Sequence, residues 1–441
     1  MPMARHAEKV AAIARFLEQE HEGRLSLQKG GVSHMMPLAA DARRGDRKVN
    51  LRDLAEILAV DPESRTCSVE PGVPFADLVA ATLQHSLIPR LVPELKTITV
   101  GGAVAGCSVE SMSFRYGGFH DSALAYEIVT GDGRVLECTR TDNAEVFGMI
   151  HGSYGSLGIL TRIDFPLIPA RPFVRMSYPK FSDFGEFYRS LLAFCEEGRH
   201  DFVDAIIHGR NRFVICLGTM VDEAPYTHRY DQVDIFYKST WARGEDYIPI
   251  FDYFFRYDAD CHWLSRKIPG MELRVLRRLL GRQILSSTRL LSLAHRFAPL
   301  LQRGRLPDVV LDCFIPASRY EEFFRWYERE MKYFPLWIVP YRIAEPYPFL
   351  DSGFSSRIPD RLFIDCAIYG LPNSRPGVDL YTTLEDKLYE LAGLKALISR
   401  NTYSQARFWE IYDRQRYARV KALTDPAGRF RDIYEKVHCR G

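Results

Sequence analysis

The sequence predicts an α+β protein of two domains, and its length and the spacing of its strands support this prediction. The chain has 441 residues, and domains of ordinary size contain about 100–200 residues. Residues 1–170 alternate short strands and helices around glycine-containing segments, whereas the strands of residues 171–404 are separated by long helical stretches. Strands spaced in this way favour an antiparallel sheet with helices on one face. We therefore predict a first domain over 1–170 and a second over 171–404.

Within the first domain, apolar spacing predicts a helix at the N-terminus and another over 74–89. Alternating and β-branched residues predict strands over 48–61 and 66–72. The motif GDG at 131–133 predicts a hairpin turn between two strands, because glycine and aspartate adopt the backbone angles of such turns. A helix, a glycine loop and a strand are expected over 144–170.

The second domain contains four apolar runs with the length of strands. These runs are 213–221, 308–316, 335–343 and 361–370. Helical periodicity appears over 319–334 and 380–397, and the chain ends in a turn followed by an aromatic-rich helix.

Composition argues against several classes of protein. The net charge is +2, which provides no electrostatic basis for binding nucleic acid. The nine cysteines are scattered without a C-x-x-C pair, which indicates reduced thiols in a cytoplasmic protein and no metal site. The sequence shows neither a signal-peptide pattern nor an apolar run of about 18 residues, so we expect a soluble or peripherally attached protein.

One segment, 266–305, is strongly basic. It contains ten lysine and arginine residues against a single acidic residue, Glu272, and leucines are interleaved with them. Two interpretations are open: an amphipathic helix that contacts a membrane surface, or an ordinary helix whose basic face is solvated.

Three segments of the first domain are rich in glycine and other small residues. They are 29–34, 99–117 and 152–159. None has the G-x-G-x-x-G spacing of a Rossmann nucleotide site. Each segment alone is ordinary turn chemistry, but the three together predict one shared site, because converging backbone N–H groups can bind a diphosphate.

These segments carry a resemblance to a known family. The sequence "LVPELKTITVGGAVAGCSVESMSFRYGGFHDSALAYEIVTGDGRVLECT", followed by "GSYGSLGILTRIDFPLIPA", resembles the FAD-binding domain of the vanillyl-alcohol oxidase superfamily. Within it, the chain is most similar to the delta-24-sterol reductase group and its bacterial relatives. The similarity extends into the second domain through "DYIPIFDYFFRYDADCHWLSR", "FPLWIVPYRI", "RLFIDCAIYG" and "NTYSQARFWEIYD".

The resemblance implies a two-lobed, PCMH-type FAD-binding domain, completed by the tail from about residue 405 to 441, and a cap domain over the flavin. It implies a bound FAD near all three small-residue segments. The implied FAD-binding residues are Lys29, Gly30, Gly31, Val32, Ser33, His34, Thr97, Thr99, Gly101, Gly102, Gly106, Ser113, Gly117, Gly155, Ser156, Gly158 and Ile159.

His34 raises the question of covalent attachment, because some members of the superfamily bind FAD through a histidine in the first loop. The sterol-reductase group generally has no histidine there, so we expect non-covalent FAD. The other interpretations of His34 are a surface histidine or one that hydrogen-bonds a phosphate.

The resemblance brings Glu110 and Arg115 to the flavin ring and makes Arg256 and Tyr403 candidates in the substrate cavity. A buried carboxyl group beside a flavin can donate a proton if burial raises its pKa. The structural alternative is that Glu110 pairs with Arg115 or caps backbone amides. An arginine or tyrosine in the cavity can donate a proton or balance the charge of the reduced flavin.

The stretch "RYDADCH" at 256–262 packs four ionisable side chains together. On a helix, residues 256 and 260 would share one face and residues 258 and 262 another. Two acids and one histidine do not make a metal site, so we predict salt bridges, with a wall of the substrate site as the alternative.

The expected function is FAD-dependent reduction of an isolated carbon–carbon double bond in a lipid, with NADPH as a possible electron donor and a sterol side chain as the first substrate. The partners expected are a sterol or fatty acyl lipid, and a membrane surface through 266–305. One alternative substrate is a methylene-branched fatty acyl chain. Two alternative classes are an alditol or lactone oxidase and a flavoprotein without catalytic activity.

Overall fold

The computed structural model describes residues 2–19, 23–31, 42–231, 233–268, 270–292, 296 and 306–438. The predicted residues Val32, Ser33 and His34 therefore lie outside the described residues, as does much of 293–305.

Helices occur along the whole chain. They are Pro2–Gln19 (α1), Phe75–Leu83 (α2), Val100–Gly106 (α3), Ser113–Tyr116 (α4), Ala144–Ile150 (α5), Phe184–Glu197 (α6), Phe236–Ala242 (α7), Ile250–Phe254 (α8), Arg274–Ile284 (α9), Tyr320–Glu330 (α10), Ser352–Ser355 (α11), Leu380–Glu390 (α12), Gln405–Ile411 (α13), Arg414–Thr424 (α14) and Ile433–Val437 (α15). No described helix combines the length and the apolar character needed to cross a membrane.

Strands alternate with these helices. They are Leu25–Gln28 (β1), Arg47–Asn50 (β2), Ile57–Asp61 (β3), Thr66–Val69 (β4), Leu87–Pro89 (β5), Ala125–Val129 (β6), Val135–Thr139 (β7), Ile159–Pro169 (β8), Phe173–Ser177 (β9), Lys180–Phe181 (β10), Phe202–Gly209 (β11), Arg212–Val221 (β12), Glu245–Pro249 (β13), Val309–Pro316 (β14), Leu336–Arg342 (β15), Leu362–Leu371 (β16) and Leu394–Lys395 (β17).

Two antiparallel sheets organise the described residues. The first has the strand order β3-β4-β8-β6-β7, with β5 paired to β8. The second has the order β13-β9-β12-β11-β15-β16-β14-β17, with β10 paired to β12. A separate parallel pair joins β1 to β2. The mixture of helices and antiparallel sheets confirms the predicted α+β class.

The large sheet has two different faces, as alternation along β11 shows. Val203, Ala205 and Ile207 pack in one core with residues of α6, α10 and α12. Phe202 and Ile206 point the other way and belong to a core shared with the first sheet and with α2 and α3. Because successive strand residues alternate between faces, Asp204 shares this second face, which we call the inner face.

The strands predicted in the second domain are all present, as β12, β14, β15 and β16. The GDG turn is also confirmed, since Val129 pairs with Val135 across β6 and β7. Strands β9, β11 and β13 were not predicted. Two of them, β11 and β13, contain an inward-facing aspartate that interrupts the apolar pattern.

Two local predictions were wrong. The segment 99–117 is not a single loop, because Val100–Gly106 forms the helix α3. The stretch 256–262 is not helical: α8 ends at Phe254 and the chain continues in turns, with Cys261 and His262 at positive φ. The helical face-sharing expected for residues 256 to 262 therefore does not occur.

The C-terminal tail packs against the N-terminal part of the chain. Phe430 is buried in one core with Leu25 and residues of α1. Arg429 donates hydrogen bonds from Nη1 to the carbonyl oxygens of Leu17 (2.7 Å) and Gly131 (3.0 Å). These contacts attach α14 and α15 to the edge of the first sheet.

Candidate active site

Helix α3 lies at the start of the glycine-rich segment 99–117 and sets the direction in which the chain leaves it. Thr99 caps the helix, since Thr99 Oγ1 accepts a hydrogen bond from Gly102 N at 3.3 Å. The helix ends at Cys107, whose φ of 54° is left-handed. The chain then turns sharply toward Glu110.

The glycines of α3 serve different purposes. A Cβ atom on Gly101 would lie 2.5 Å from Pro71 Cβ, so this glycine permits the helix to pack closely on the preceding loop. A Cβ atom on Gly106 would meet nothing closer than 3.8 Å, and Gly106 lines a cavity. The absence of a side chain at Gly101 is therefore explained by packing within the protein. At Gly106, the close approach of a ligand to the backbone is an explanation for it.

Glu110 is buried at the entrance to α4. Its backbone N–H donates to Ser113 Oγ at 2.8 Å, and its carboxylate Oε2 accepts from the backbone N–H of Ser111. Its other oxygen, Oε1, lies 3.6 Å from Arg256 Nη2 and has no hydrogen-bond partner within the described residues. Ser113 thus positions Glu110 through the backbone.

Arg256 is buried and held from several sides. Its Nη2 donates to Asp204 Oδ2 at 3.1 Å, and Nη1 donates to Tyr253 O at 3.0 Å. The guanidinium lies 4.3 Å from the ring centre of Tyr253 and 4.9 Å from that of Tyr257. Trp337 Nε1 donates to the same Asp204 oxygen at 2.7 Å. Arg256 therefore has a fixed position with Asp204 as its main counter-ion.

Burial raises the pKa of Glu110 to about 8, although the charge of Arg256 opposes the shift, and the charges of Glu94 and Asp204 add to it. Because Arg256 donates its hydrogen bond to Asp204, its charge is largely balanced there. The carboxyl group of Glu110 therefore stays protonated near neutral pH.

More polar side chains of both domains meet close by. Glu94 Oε1 accepts a hydrogen bond from His262 Nε2 at 2.6 Å, and the Tyr369 hydroxyl donates to Asp312 Oδ1 at 2.5 Å. Burial raises the pKa of Asp312 to about 6. Within the described part of the chain, no group of three histidine, cysteine or acidic side chains is arranged to hold a metal ion.

A cavity, partly open to solvent, lies where α3, the third small-residue segment, the large sheet and the tail meet. Its lining includes Gly106, Tyr154, Phe314, Tyr341 and Trp409. Most of this wall is apolar or aromatic, as expected for a site that takes a flat or apolar ligand.

A polar chain leads from this cavity into the first domain. Tyr341 and Tyr347, both in the cavity wall, share a hydrogen bond between their hydroxyl groups. Tyr347 also donates to Asp121 Oδ2 at 2.8 Å, and His120 Nε2 lies 3.6 Å from the same oxygen. The pair His120-Asp121 is thus connected to the cavity.

The other two catalytic candidates have structural partners. Arg115 donates to the carbonyl oxygens of Gly198 (2.6 Å) and His200 (3.0 Å), and lies 3.8 Å from Asp201. The Glu110–Arg115 pair considered from the sequence is not formed; Arg115 joins α4 to the cap. Tyr403 donates to the carbonyl oxygen of Glu385 at 2.9 Å. Catalytic roles for Arg115 and Tyr403 remain predictions.

The stretch 256–262 forms the salt bridges predicted for it. Asp260 lies 3.3 Å from Arg277, and His262 pairs with Glu94. Asp258 accepts a hydrogen bond from the backbone N–H of Lys96 at 3.0 Å. Through the last two contacts this turn of the cap rests directly on the first domain.

The first small-residue segment comes directly after β1. Burial lowers the pKa of Lys29, and Lys29 has no ion-pair partner in the described parts of the chain. A Cβ atom on Gly30 would meet only Arg52 O, at 3.8 Å, and one on Gly31 would meet nothing within 4 Å. Thr97, at the start of the second segment, is half-buried. The backbone at Gly30 and Gly31 is therefore accessible.

The third segment is shaped by left-handed residues and by the tail. Tyr154 and Gly155 have φ values of 51° and 69°. Ser156 is buried, and its hydroxyl lies beside the hydroxyl of Tyr417 in the tail. Gly158 leads into β8, where Ile159 is buried against α1. In the second segment, Gly117 at φ 76° ends α4.

These residues fit FAD. The accessible backbone at Gly30, Gly31 and Gly106 and the exposed cation of Lys29 provide donors for a diphosphate and its neighbours. The apolar cavity wall provides a surface for an aromatic ring. An apolar cavity between α3 and the large sheet, together with accessible backbone in the small-residue segments, is compatible with a flavin-dependent oxidoreductase.

The comparisons with known proteins agree with an FAD-binding role. The family described as "FAD binding domain" matches residues 3–139. The delta(24)-sterol reductase of Homo sapiens is 26% identical over 407 residues, which cover 87% of this chain and 76% of the human protein. The delta(24)-sterol reductase homolog of Caenorhabditis elegans is 26% identical over 424 residues, covering 89% and 79% of the two chains. Cytokinin dehydrogenase 5 of Arabidopsis thaliana is 28% identical over 151 residues, 34% of this chain and 28% of its own. These matches support an FAD-dependent oxidoreductase that is similar to the vanillyl-alcohol oxidase superfamily, with FAD as its cofactor.

Some residues of the site were missed by sequence reasoning. Asp204 and Trp337, the partners of Arg256, lie in strands whose pattern indicates only burial. Lys421 and Lys436, which bind the third segment, lie in the tail far along the chain. No local sequence motif marks any of these four residues as part of the site. Only Asp204 carries a sequence signal for such a role, because it is a charged residue within an apolar strand.

Proposed function

We propose that the protein reduces an isolated carbon–carbon double bond in a large lipid, with a sterol side chain as the first candidate. The support is similarity to delta(24)-sterol reductases over 87% of the chain, which includes the cap as well as the FAD-binding domain. The apolar, aromatic wall of the cavity suits a substrate with few polar groups.

The buried, protonated Glu110 beside Arg256 is the observation that carries this proposal. FAD, when bound and reduced, supplies a hydride to one carbon of the double bond. The other carbon must receive a proton, and Glu110 is the acid that burial keeps protonated near neutral pH. Arg256, held by Asp204, then lies 3.6 Å from the carboxylate that forms and stabilises it.

The electron donor is proposed to be NADPH. Because the sequence has no G-x-G-x-x-G motif, the nicotinamide would reach the flavin through the substrate opening. The test is anaerobic reduction of the purified holoprotein by NADPH or NADH, followed by addition of candidate lipids. Bleaching by a nicotinamide and recovery of the yellow colour only with an alkene-containing lipid would support the proposal. A reduced flavin that reoxidises rapidly with O₂ and not with any lipid would instead indicate an oxidase.

A second substrate, a methylene-branched fatty acyl chain of a phospholipid, is favoured by the surface of α9. Leu273 just before the helix, and Val275 and Leu279 within it, are 61%, 69% and 68% exposed. Arg277 points inward instead and lies 3.3 Å from Asp260. Arg274 and Arg278 remain exposed, so the basic face considered from the sequence is solvated at these positions and interrupted at Arg277. We propose that the apolar side of α9, with the exposed Arg278, contacts an anionic lipid bilayer in which such substrates reside.

The two substrates can be separated by a lipid profile of cells with and without the protein. Accumulation of a sterol with an unreduced side chain supports the first, and accumulation of methylene-branched acyl chains supports the second.

A further inference from the structure

Two tyrosines and an aspartate form a continuous row of hydrogen bonds that begins in the cavity wall. Tyr341 and Tyr347, both in that wall, share a hydrogen bond between their hydroxyl groups. The Tyr347 hydroxyl also donates to Asp121 Oδ2 at 2.8 Å. We call Tyr341, Tyr347 and Asp121 the hydroxyl chain. None of the three is among the predicted FAD contacts, and none takes part in the Glu110–Arg256 pair.

The Asp121 end of the hydroxyl chain lies near the protein surface. The Asp121 side chain is 10% exposed, and the exposed Arg140 donates a hydrogen bond to the Asp121 backbone oxygen at 3.0 Å. Tyr341, at the other end, is buried in the cavity wall. The hydroxyl chain therefore joins the edge of the protein to its cavity.

The Asp121 carboxylate is held by hydrogen bonds and not by a cation. Its Oδ2 accepts from Gly118 N at 2.7 Å as well as from Tyr347, whereas Arg140 bonds the backbone of Asp121. Burial raises the pKa of Asp121, and the charge of His120, the Gly118 hydrogen bond and the charge of Arg140 oppose this shift. Asp121 is thus suited to take up a proton and to release it.

The neighbouring His120 does not fix Asp121 in its ionised form. His120 is fully buried, and neither of its ring nitrogens has a hydrogen-bond partner within the described residues. Its Nε2 lies 3.6 Å from Asp121 Oδ2. Burial lowers the pKa of His120, although the charge of Asp121 opposes the shift. Asp121 therefore faces a neutral imidazole ring.

The hydrogen bonds of the hydroxyl chain can run in either direction. When Asp121 is ionised, Tyr347 donates to it and Tyr341 donates to Tyr347, because each tyrosine has one hydroxyl proton. When Asp121 is protonated, it can donate to Tyr347, Tyr347 to Tyr341, and Tyr341 to an acceptor in the cavity. Burial raises the pKa of Tyr341, so its hydroxyl receives one proton as it passes another on.

The reaction proposed above needs such a path. Each reduced double bond takes up one hydride and one proton, so the acid that gives the proton is left ionised after every turnover. Glu110 is buried, and its proton has to be replaced from solvent through the interior of the protein.

We propose that the hydroxyl chain carries this replacement proton from solvent to the cavity. Asp121 takes a proton from solvent, the Asp121 O–H bond breaks as the Tyr347 O–H bond forms, and Tyr341 releases a proton to the group in the cavity that has lost one. Asp121 is then ionised again and ready for the next proton. This role rests on the proposed function, and the three residues act through the acid and not on the double bond.

The test compares the first turnover with later ones. The full-length holoprotein is kept reduced by excess dithionite without oxygen, so that the natural electron donor does not matter, and an alkene-containing lipid is added in excess. In Tyr341→Phe and Tyr347→Phe, the first equivalent of product should form at the wild-type rate, because the acid is already protonated. Later turnovers should be slower by about tenfold or more and should slow further in D₂O. Rapid quenching and mass spectrometry of the lipid measure both phases.

Tyr327→Phe is the matched control. The Tyr327 hydroxyl is also a donor, to Tyr333 O at 3.0 Å, but its ring belongs to the core on the other face of the large sheet. This variant should show the same rate in all turnovers, as the wild type should.

Three results would overturn the proposal, and they are distinguishable. Equal slowing of the first and later turnovers in Tyr341→Phe and Tyr347→Phe would show that the two hydroxyl groups only support the structure of the site. Wild-type rates in every turnover would show that the proton takes another route. A wild-type protein that reduces no lipid would remove the proposed function and the role of the hydroxyl chain with it.

Discussion

Glu110 Oε1 lies 3.6 Å from Arg256 Nη2, and the two side chains come from distant parts of the sequence. Arg256 gives its hydrogen bond to Asp204 rather than to Glu110, at 3.1 Å. Because Arg256 bonds Asp204, Glu110 stays protonated near neutral pH while it lies beside the fixed positive charge of Arg256. The pair forms only because the inner face of the large sheet closes over the segment that comes after α3.

Replacing Glu110 by Gln should stop lipid reduction while leaving FAD in place. The amide keeps the size of the side chain but cannot donate the proton, and loss of a general acid typically lowers the rate by about 10²–10⁴-fold. Flavin content, anaerobic reduction of the flavin and turnover of the lipid are measured separately. Glu63→Gln, at an exposed position, is the control. Full turnover by Glu110→Gln would remove Glu110 from the mechanism.

The rate of lipid reduction should fall as the pH rises above about 8. Burial raises the pKa of Glu110 to about 8, so the proton donor is present below this pH and lost above it. The measurement is kcat/KM for the lipid against pH, with the flavin already reduced so that the donor step does not contribute. A rate that stays constant up to pH 10 would contradict the assignment of the acid.

Polar substitutions on α9 should weaken binding to anionic vesicles. Val275→Ser and Leu279→Ser each remove an exposed apolar side chain that we expect to enter the bilayer surface, and each should reduce binding about tenfold. Sedimentation with phosphatidylglycerol vesicles measures the effect. Leu423→Ser, 46% exposed on α14, is the control. Arg277 is unsuitable for this test because it is buried and paired with Asp260. If all the variants bind the vesicles equally, α9 is not the part of the protein that contacts the membrane.

His6 should anchor α1 to the first sheet in a pH-dependent way. Its ring nitrogens lie 2.9 Å from Glu70 and 3.0 Å from Glu127. Burial alone lowers the pKa of His6, but the hydrogen bonds and charges of these two carboxylates outweigh it and raise the pKa to about 9. Since the folded pKa is above that of the unfolded chain, the stabilisation is complete below about pH 6.5 and is lost as the pH rises through 9.

His6→Ala should therefore lower the free energy of unfolding by about 3 kcal/mol at pH 6, because it removes the cation that Glu70 and Glu127 share. The difference from wild type should shrink toward pH 10. Chemical denaturation at several pH values measures this, with the exposed His85→Ala as control. A difference that is independent of pH would mean that His6 is held neutral.

Local patterns in the sequence predicted most of the elements. The four apolar runs of the cap are strands, the GDG motif is a hairpin, and the N-terminal and C-terminal segments are helical, because the period of the apolar residues and the turn residues act within a few positions. The same patterns failed where a long-range contact dominates. The small residues 100–106 form a helix because Thr99 caps it and Gly101 packs closely on Pro71, and neither contact is visible in a run of glycines.

The sequence alone determined the class of the protein: its resemblance to a family identified an FAD-binding oxidoreductase, and the comparisons support that class, whereas the FAD-binding roles of the small-residue segments stay predictions. The sequence also selected Glu110 and Arg256 as candidate catalytic residues, but it did not predict that they lie beside each other. As a structural alternative, it paired Glu110 with Arg115 instead. Only the tertiary structure decided that Arg256 lies beside Glu110, that Lys421 and Lys436 bind the third segment, and that α9 turns Arg277 inward. The physical reason is that a secondary-structure element depends on neighbours along the chain, whereas the partner of a charged side chain depends on which faces of distant elements the fold brings together.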